Sequence, residues 1–246
     1  MSRLAILAAA AGTLICSGAQ AQSVSGLSFD VGAGLRYAPE YPGADRNEAR
    51  PWLILRDLSF SPEPAGAPAD GFHFGPSANY VSARDADDDS DLRGLDKVDA
   101  TVELGVKAGY RFGPTDAYAA VRKGLGGHRG VTGEFGLRHS TPLSDRLTLN
   151  SGLEARYGND RYMDAYFGVT PAESAASGFA IYEPSGGISS VGASLELRYQ
   201  ATDTIAVLGQ VRMSRLVGDA ADSPVVQDRD QLSAGVGVVR HFSFRF

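Results

Sequence analysis

Strict alternation of apolar and polar residues is the dominant pattern of this chain, and it is clearest over residues 98–112. Every second residue from Val98 to Phe112 is apolar, and Glu103 and Lys107 are among the residues between them. A period of two predicts a β-strand with one apolar face and one charged, glycine-rich face. At about 3.4 Å per residue this strand is long enough to cross a bilayer when tilted. Its apolar face belongs either to the core of a soluble sandwich or to the lipid-facing side of an outer-membrane barrel.

The same alternation recurs along the chain, and the connections between the segments alternate between long and short. Short connections, such as residues 113–116 and 141–145, carry proline, glycine and aspartate and predict tight turns. An even strand count, short turns at one end, longer loops at the other and a terminal Phe246 are typical of an outer-membrane barrel, and a soluble sandwich predicts no such asymmetry. The sequence therefore predicts an all-β, transmembrane, antiparallel up-and-down barrel of about ten strands, with twelve or eight as alternatives. Besides 98–112, the predicted strands are 27–37, 52–60, 72–81, 117–123, 131–140, 147–157, 191–199, 205–213 and 232–246.

The N-terminus has the three parts of a secretory signal peptide. Arg3 gives a positive start, residues 4–16 are apolar, and Ala19-Gln20-Ala21 is a small-residue cleavage pattern. We expect residues 1–21 to be a cleaved signal peptide and residues 22–246 to be one outer-membrane barrel domain of a Gram-negative cell. The only cysteine, Cys16, lies within the predicted signal, so we expect no disulfide in the mature chain.

Charge narrows the classes of partner. The net charge is −6, which argues against a nucleic-acid partner, and the predicted barrel makes outer-membrane lipid and lipopolysaccharide the expected surroundings. In a barrel of about ten strands the charged faces line a narrow lumen, where opposite charges would neutralise one another, and a narrow selective pore is the alternative. The predicted lumen charges are Asp30, Arg36, Asp99, Glu103, Lys107, Arg111, Glu134, Arg138, Glu154, Arg156, Glu196, Arg198, Arg212 and Arg245.

The loops carry recognisable motifs. The stretches 166–171 with 174–178, and 216–224, closely resemble signatures of the MipA/OmpV family, named for the MltA-interacting protein. Residues 41–45, 92–95 and 126–130 and the aromatic C-terminus are also similar to that family. The resemblance implies an outer-membrane barrel that acts as a scaffold for a murein-cleaving lytic transglycosylase and a murein synthase. Other members of the family are described as porin-like or adhesive, and the resemblance transfers no catalytic residue and no cofactor.

The long loop at 158–187 predicts a small structure of its own. Thr170, Pro171 and Glu173 form a capping box with proline in the first turn, and Gly178 can end the helix, so we expect one short helix at 171–176. Apolar loop residues such as Phe167 and Ile181 need a dry environment, which favours a plug over the barrel mouth; the alternative is a loop that folds only on itself. The candidate plug residues are Tyr166, Phe167, Thr170, Pro171, Glu173, Asp219, Asp222, Ser223 and Pro224.

Two chemical readings are weaker. Aspartates 85, 87, 89, 91 and 96 have the spacing of a calcium loop, but Ser90 stands where glycine is needed, so a solvated acidic loop is preferred and no metal site is expected. His128 and His139 could serve a barrel lipid hydrolase, but His128 has no evident serine partner and His139 lies near a periplasmic turn. His73 and His241 are expected to hydrogen-bond inside the barrel. We therefore expect a scaffold that is not an enzyme, with a small solute pore or a surface adhesin as the alternative.

Overall fold

Ten antiparallel β-strands form the body of the structure, a computed structural model that describes residues 26–61, 70–85 and 92–245. The predicted signal peptide, residues 1–21, lies outside the described residues and remains a prediction. The strands are β1 Gly26–Pro39, β2 Asn47–Ser61, β3 Gly71–Val81, β4 Thr101–Phe112, β5 Thr115–Gly126, β6 Val131–Ser144, β7 Leu147–Gly158, β8 Gly187–Gln200, β9 Ile205–Leu216 and β10 Asp230–Arg245. Each of the ten predicted strands is present, but the predicted turn at 141–145 was wrong, because Thr141 and Pro142 still pair with β7 and β6 continues to Ser144.

The strands form one sheet in the order β2-β1-β10-β9-β8-β7-β6-β5-β4-β3, and every pairing along it is antiparallel. The pairing of β1 with β10 joins the two ends of the chain and curls the sheet. The outermost strands of this order, β2 and β3, approach each other: Arg50 donates to Ser82 Oγ over 2.8 Å, and a Cβ added at Gly75 would lie 3.0 Å from the carbonyl oxygen of Leu58. The predicted up-and-down barrel architecture is confirmed.

The outer face of the wall is apolar, and its inner face carries the charged side chains together with one buried apolar cluster, Ile54, Ala206, Leu208 and Val239. On β4, Leu104 and Val106 are 49% and 68% exposed on the lipid side, while Glu103 between neighbouring apolar residues is only 2% exposed. The prediction that the strand runs from Val98 was wrong at its start, because β4 begins at Thr101. Val98 instead pairs with Arg84 in an isolated bridge and is buried by the loops, and the predicted lumen residue Asp99 is exposed outside the strand.

Aromatic side chains gather at the end of the barrel where β1 begins. Phe29 stacks on Phe242 with ring centroids 5.5 Å apart, and Phe72 meets Tyr110 edge-on at 4.8 Å. Such aromatics favour the membrane interface, which agrees with a periplasmic rim at this end. The C-terminal Phe246 lies outside the described residues.

Three helices complete the structure: α1 Asp160–Phe167, α2 Pro171–Ser177 and α3 Gly218–Asp222. The predicted short helix is α2, and it is confirmed. The long loop also holds α1, which the sequence analysis did not predict, so the prediction of one helix was too low. Among the described residues, no helix is long and apolar enough to cross a membrane.

Candidate functional site

The outer cap is the layer formed by the five connections at the end of the barrel opposite the start of β1. We define it as residues 40–46, 82–85 with 92–100, 127–130, 159–186 and 217–229. Antiparallel alternation brings these connections to the same end, since each joins an odd-numbered strand to the next one. The cap lies over this end of the barrel.

The cap has two apolar clusters of its own. The first surrounds α1 and holds Val98, Met163, Tyr166, Phe167, Leu216, Ala220 and Ala221, each less than a tenth exposed. The second joins Tyr41, Ala44, Leu92, Leu95, Val169 and Val225. Most of these residues come from the loop motifs that carried the family resemblance, so those motifs form a common core although they are distant in sequence.

Helix α1 forms because its first turn is capped and one face is apolar. The Asn159 side chain accepts from Tyr162 N at 3.3 Å and from Val131 N at 2.8 Å, which also ties the helix to β6. Met163, Tyr166 and Phe167 follow at helical spacing and are 0%, 1% and 1% exposed. That spacing and the Asn cap were the sequence signals for this helix.

Helix α2 has the predicted capping box. Thr170 N donates to Glu173 Oε2 at 2.8 Å, and Glu173 N donates to Thr170 Oγ1 at 3.3 Å, with Pro171 in the first turn. Gly178 ends the helix with φ of 84°. Glu173 also accepts from Asp96 N at 2.9 Å, so the box fastens another loop to the helix.

Arg84 is a buried cation in the cap and is only 5% exposed. Its guanidinium donates to the carbonyl oxygens of Tyr166 at 3.0 Å and Asp96 at 3.2 Å. Burial lowers the pKa of Arg84, and the Glu173 charge opposes that fall. Burial in turn raises the pKa of Glu173, but hydrogen bonds from Thr170 and Asp96 and the Arg84 charge outweigh it and hold that pKa below its usual value.

The second family motif meets α1 at its C-terminal end. Ser223 Oγ donates to Phe167 O at 2.6 Å, and Pro224 beside it is partly buried. Asp219 accepts from Ser185 N at 2.8 Å, whereas Asp222 pairs with Arg229 at 3.2 Å on the exposed rim. The structure thus brings Tyr166, Phe167 and Ser223 together, places Thr170, Pro171 and Glu173 in α2, and leaves Asp219 and Asp222 at the edge. Ile181, predicted to need a dry environment, is 54% exposed, so that expectation was wrong.

His128 belongs to the cap and contacts a lumen residue, and its side chain is 1% exposed. Its Nε2 lies 3.1 Å from Glu103 Oε1, although neither ring nitrogen is aligned for a hydrogen bond. The ring meets Tyr162 and Tyr166 edge-on at centroid distances of 5.1 and 5.6 Å. Burial raises the pKa of Tyr162 to about 12 and also raises that of Tyr166, so both phenols stay protonated at neutral pH. Within the described part of the chain, the contacts of His128 include no serine hydroxyl.

The other histidines lie where the sequence analysis placed them. His73 is 2.5 Å from Asp116 and His241 is 2.8 Å from Asp30, both on the lumen side. His139 contacts Thr115 at 2.9 Å at the end opposite the cap, far from His128.

The lumen is crossed by ion pairs between strands. Arg56 on β2 meets Glu196 on β8 at 2.6 Å, and Arg198 on β8 meets Asp30 on β1 at 2.6 Å. Glu196 also accepts from Asn150 at 3.3 Å. The predicted neutralising network is present, because these carboxylates have cationic partners from other strands.

In the described part of the acidic loop, the aspartates with calcium-loop spacing do not come together as a ligand set. Asp85 pairs with Lys97 at 2.8 Å, and Asp96 is exposed. Residues 87, 89 and 91 lie outside the described residues. Among the residues that the structure describes, no group of three His, Cys, Asp or Glu side chains could hold a metal ion.

Similar proteins were found by sequence and by structure. The chain is 30% identical to the outer membrane protein YiaT of Escherichia coli K12 over 65% of its length, and 28% identical to the outer membrane protein OmpV of Vibrio cholerae over 65% of its length. These matches span 63% and 62% of the length of those relatives. An outer membrane channel from Pseudomonas putida F1 superposes with a TM-score of 0.47 at 12% identity, covering 89% of this chain and 96% of the channel.

The family model described as MltA-interacting protein MipA matches residues 31–242, which include part or all of each of the ten strands and the whole outer cap. Together with relatives named as outer membrane proteins, this match places the barrel in the outer membrane. The chain therefore belongs to the MltA-interacting protein MipA family.

Proposed function

We propose that this barrel is a closed outer-membrane anchor that holds murein-remodelling enzymes, a lytic transglycosylase and a murein synthase, at the periplasmic face of the membrane. The family name, which describes an interaction with MltA, supports the proposal. The observation that carries it is the outer cap. Its two apolar clusters, with Phe167 1% exposed and Val225 fully buried, favour a stable cover over the mouth.

The lumen supports the same function. Ion pairs such as Arg56 with Glu196 cross between strands that are not adjacent in the sheet. Breaking them to let a solute through would leave a charge without its partner in a confined space, which is costly. A barrel closed in this way serves better as an attachment point than as a route for solutes.

The test of the anchor is a pull-down from detergent extracts with a purified lytic transglycosylase. We expect the full chain to retain the enzyme through its periplasmic turns, among them the predicted turn at 61–71, of which residues 62–69 lie outside the described residues. Replacing 61–71 by a glycine-serine segment of equal length should reduce retention. Replacing the exposed outer residues Ala180, Ile181 and Glu183 by serine is the control and should leave retention unchanged. A full chain that retains no transglycosylase would contradict the proposal.

Conductance in planar bilayers separates the anchor from the pore. The full chain should be silent across the voltage range, because the cap and the lumen pairs close the passage. Steady conductance would overturn the closed anchor and favour the pore. An adhesin would instead lose cell binding when the outer cap is altered, with conductance and retention of the transglycosylase unaffected.

A further inference from the structure

Three arginines in the lumen lie close to one shared carboxylate, Glu154. Arg36 lies on β1, Arg156 on β7 and Arg212 on β9. Glu154 pairs with both Arg212 and Arg156, the latter with Nε at 3.3 Å. Arg36 has neutral partners: it donates to Gln210 Oε1 at 3.1 Å, and its guanidinium lies 4.7 Å from the centroid of the Trp52 ring.

The carboxylate opposite Arg156 in the pairing of β6 with β7 is already engaged. Glu134 accepts from Arg122 at 3.0 Å and from the Tyr118 hydroxyl at 2.9 Å. Four arginines, Arg36, Arg122, Arg156 and Arg212, therefore lie around two glutamates, Glu134 and Glu154, and the Glu103 carboxylate also acts on Arg156, so the cations outnumber the carboxylates. Arg156 and Arg212 contact the same carboxylate, and Arg36 bonds Gln210, two residues from Arg212 on β9, so like charges share this part of the lumen.

Two of these arginines have features that suit a ligand: Arg156 has an accessible side chain, and Arg212 has an N–H donor without a partner in the described part of the chain. The Arg156 side chain is 45% accessible although it projects from the inner face of the wall, whereas its partner Glu154 is 7% accessible. Nε of Arg212 is buried and has no hydrogen-bond partner among the described residues. A buried donor without an acceptor costs free energy, and an enclosed excess of positive charge costs more. Both costs are removed by an acceptor that carries negative charge.

We propose that the lumen binds a free phosphate-type oxyanion between Arg36, Arg156 and Arg212. Guanidinium groups present forked pairs of N–H donors that match the oxygens of such an anion, and its negative charge would offset the excess of cations. The site is distinct from the cap and from the periplasmic turns.

The experiment is calorimetric titration of the folded, full-length barrel with inorganic phosphate in a zwitterionic detergent at low ionic strength. We expect saturable binding with one phosphate per barrel, and at least about a tenfold loss of affinity in Arg36→Gln, the usual scale for losing a hydrogen bond to a charged group. Arg240→Gln is the matched control, because Arg240 is exposed on the outer face of β10 beside Phe242. This control removes the same charge and should bind phosphate like the parent chain.

A second variant gives an effect of opposite sign. Glu154→Gln removes negative charge from the group and should tighten phosphate binding, which a general loss of structure would not do. Heat-modifiable migration on a gel checks that each variant is folded. Arg36→Gln should also raise the midpoint of thermal unfolding without phosphate, since it relieves repulsion, and should no longer respond to added phosphate.

Several results would overturn the site. These are absence of binding to the parent chain, equal binding by the Arg36→Gln and Arg240→Gln variants, or a lipid mass instead of a phosphate mass on the parent chain in native mass spectrometry. The test is independent of the anchor function, because Arg36→Gln leaves the periplasmic turns intact and should retain the transglycosylase like the parent chain.

Discussion

The outer cap and the barrel wall bury opposite kinds of side chain. In the cap, Met163 and Phe167 are 0% and 1% exposed, as in the core of a soluble protein. In the wall, Val106 is 68% exposed and Glu103 is 2% exposed, because the apolar side meets lipid and the polar side meets the lumen. Apolar side chains of this chain therefore have two environments, the core of the cap and the lipid around the wall. The position of a residue relative to the end of its strand decides which environment it has.

Val98 and Val106 show this difference within one alternating segment. Both occupy the apolar positions of the pattern, eight residues apart. Val98 packs against α1 in the first cap cluster, whereas Val106 faces lipid. The cap should therefore respond to substitutions as a water-soluble core does, and the wall as a membrane protein does.

The largest effect on stability is expected for Phe167→Ala, which removes the phenyl ring from the first cap cluster. Removing a buried phenylalanine side chain costs about 3–5 kcal/mol, and here the loss falls on the cap. Hydrogen exchange should show the amides of α1 and α2 opening much faster, while heat-modifiable migration of the barrel is retained. Phe135→Ala is the control, because Phe135 is 50% exposed on the lipid side of β6 and does not touch the cap. Equal loosening of the cap in both variants would remove the distinction between the two regions.

The next effect is expected for Val106→Arg at the centre of β4. A charged side chain near the bilayer midplane on the lipid side of a barrel costs about 2–4 kcal/mol. Urea titration of the protein folded in lipid vesicles should show this loss, with the hydrogen exchange of α1 unchanged. Gln231→Arg on the lumen side of β10 is not an equivalent control, since Gln231 also bonds Gly43 N at 3.0 Å. Tyr110→Arg, nearer the aromatic rim, is the better comparison and should cost less. An equal cost at both positions would argue against a lipid-facing wall.

The wall could be predicted from the sequence because its period of two is continuous. Residues 101–112 alternate without exception, and lipid on one side and lumen on the other enforce that alternation in every strand. The strand start was misplaced because an apolar residue such as Val98 fits the pattern equally well when it faces the cap. Periodicity reports that a side chain is apolar, and it does not report which apolar environment receives it.

The cap could be predicted only in part. The capping box of α2 is local, since Thr170 and Glu173 are three residues apart, and it was found. Helix α1 was not predicted although Asn159, Met163 and Tyr166 carry its signal, because an eight-residue helix gives only a short periodic pattern beside the long alternation of the strands. The contact of His128 with Glu103 joins two segments that are distant in sequence. It depends on the curvature of the sheet and on the position of the loop that carries His128, and no local sequence pattern encodes either.

A smaller effect is expected for Glu173→Ala, which breaks the link between α2 and the loop at Asp96. The carboxylate accepts from Thr170 N at 2.8 Å and Asp96 N at 2.9 Å, and losing these bonds should cost the cap about 2 kcal/mol. Hydrogen exchange of the Asp96 and Thr170 amides measures the loss. Wild-type protection at both amides would contradict the assigned bonds.

The same carboxylate gives the cap a dependence on pH with a definite sign. Because the pKa of Glu173 is lowered in the folded cap, its contribution is fully present above the ordinary value of 4.5 and is lost as the pH falls through the lowered pKa. Asp164 acts in the opposite direction, since burial and the charges of Asp160 and Glu183 raise its pKa. Glu173→Gln keeps the capping box but removes this titration. The difference in cap stability between this variant and the parent chain should therefore shrink as the pH is lowered. A constant difference across that range would contradict the assignment.

The smallest effect is expected for Gly178→Ala at the end of α2. Gly178 has φ of 84°, and nothing lies within 4 Å of an added Cβ, so the methyl group meets no neighbour and only backbone strain remains. That strain costs about 1 kcal/mol for a residue with a Cβ in the left-handed region. Gly178→Asn should cost less, because asparagine adopts this conformation more readily. If alanine and asparagine loosened α2 equally in hydrogen exchange, the strain account would fail. If either variant also loosened α1, the two helices would form one cooperative unit, and the outer cap would be better described as a single small domain resting on the barrel.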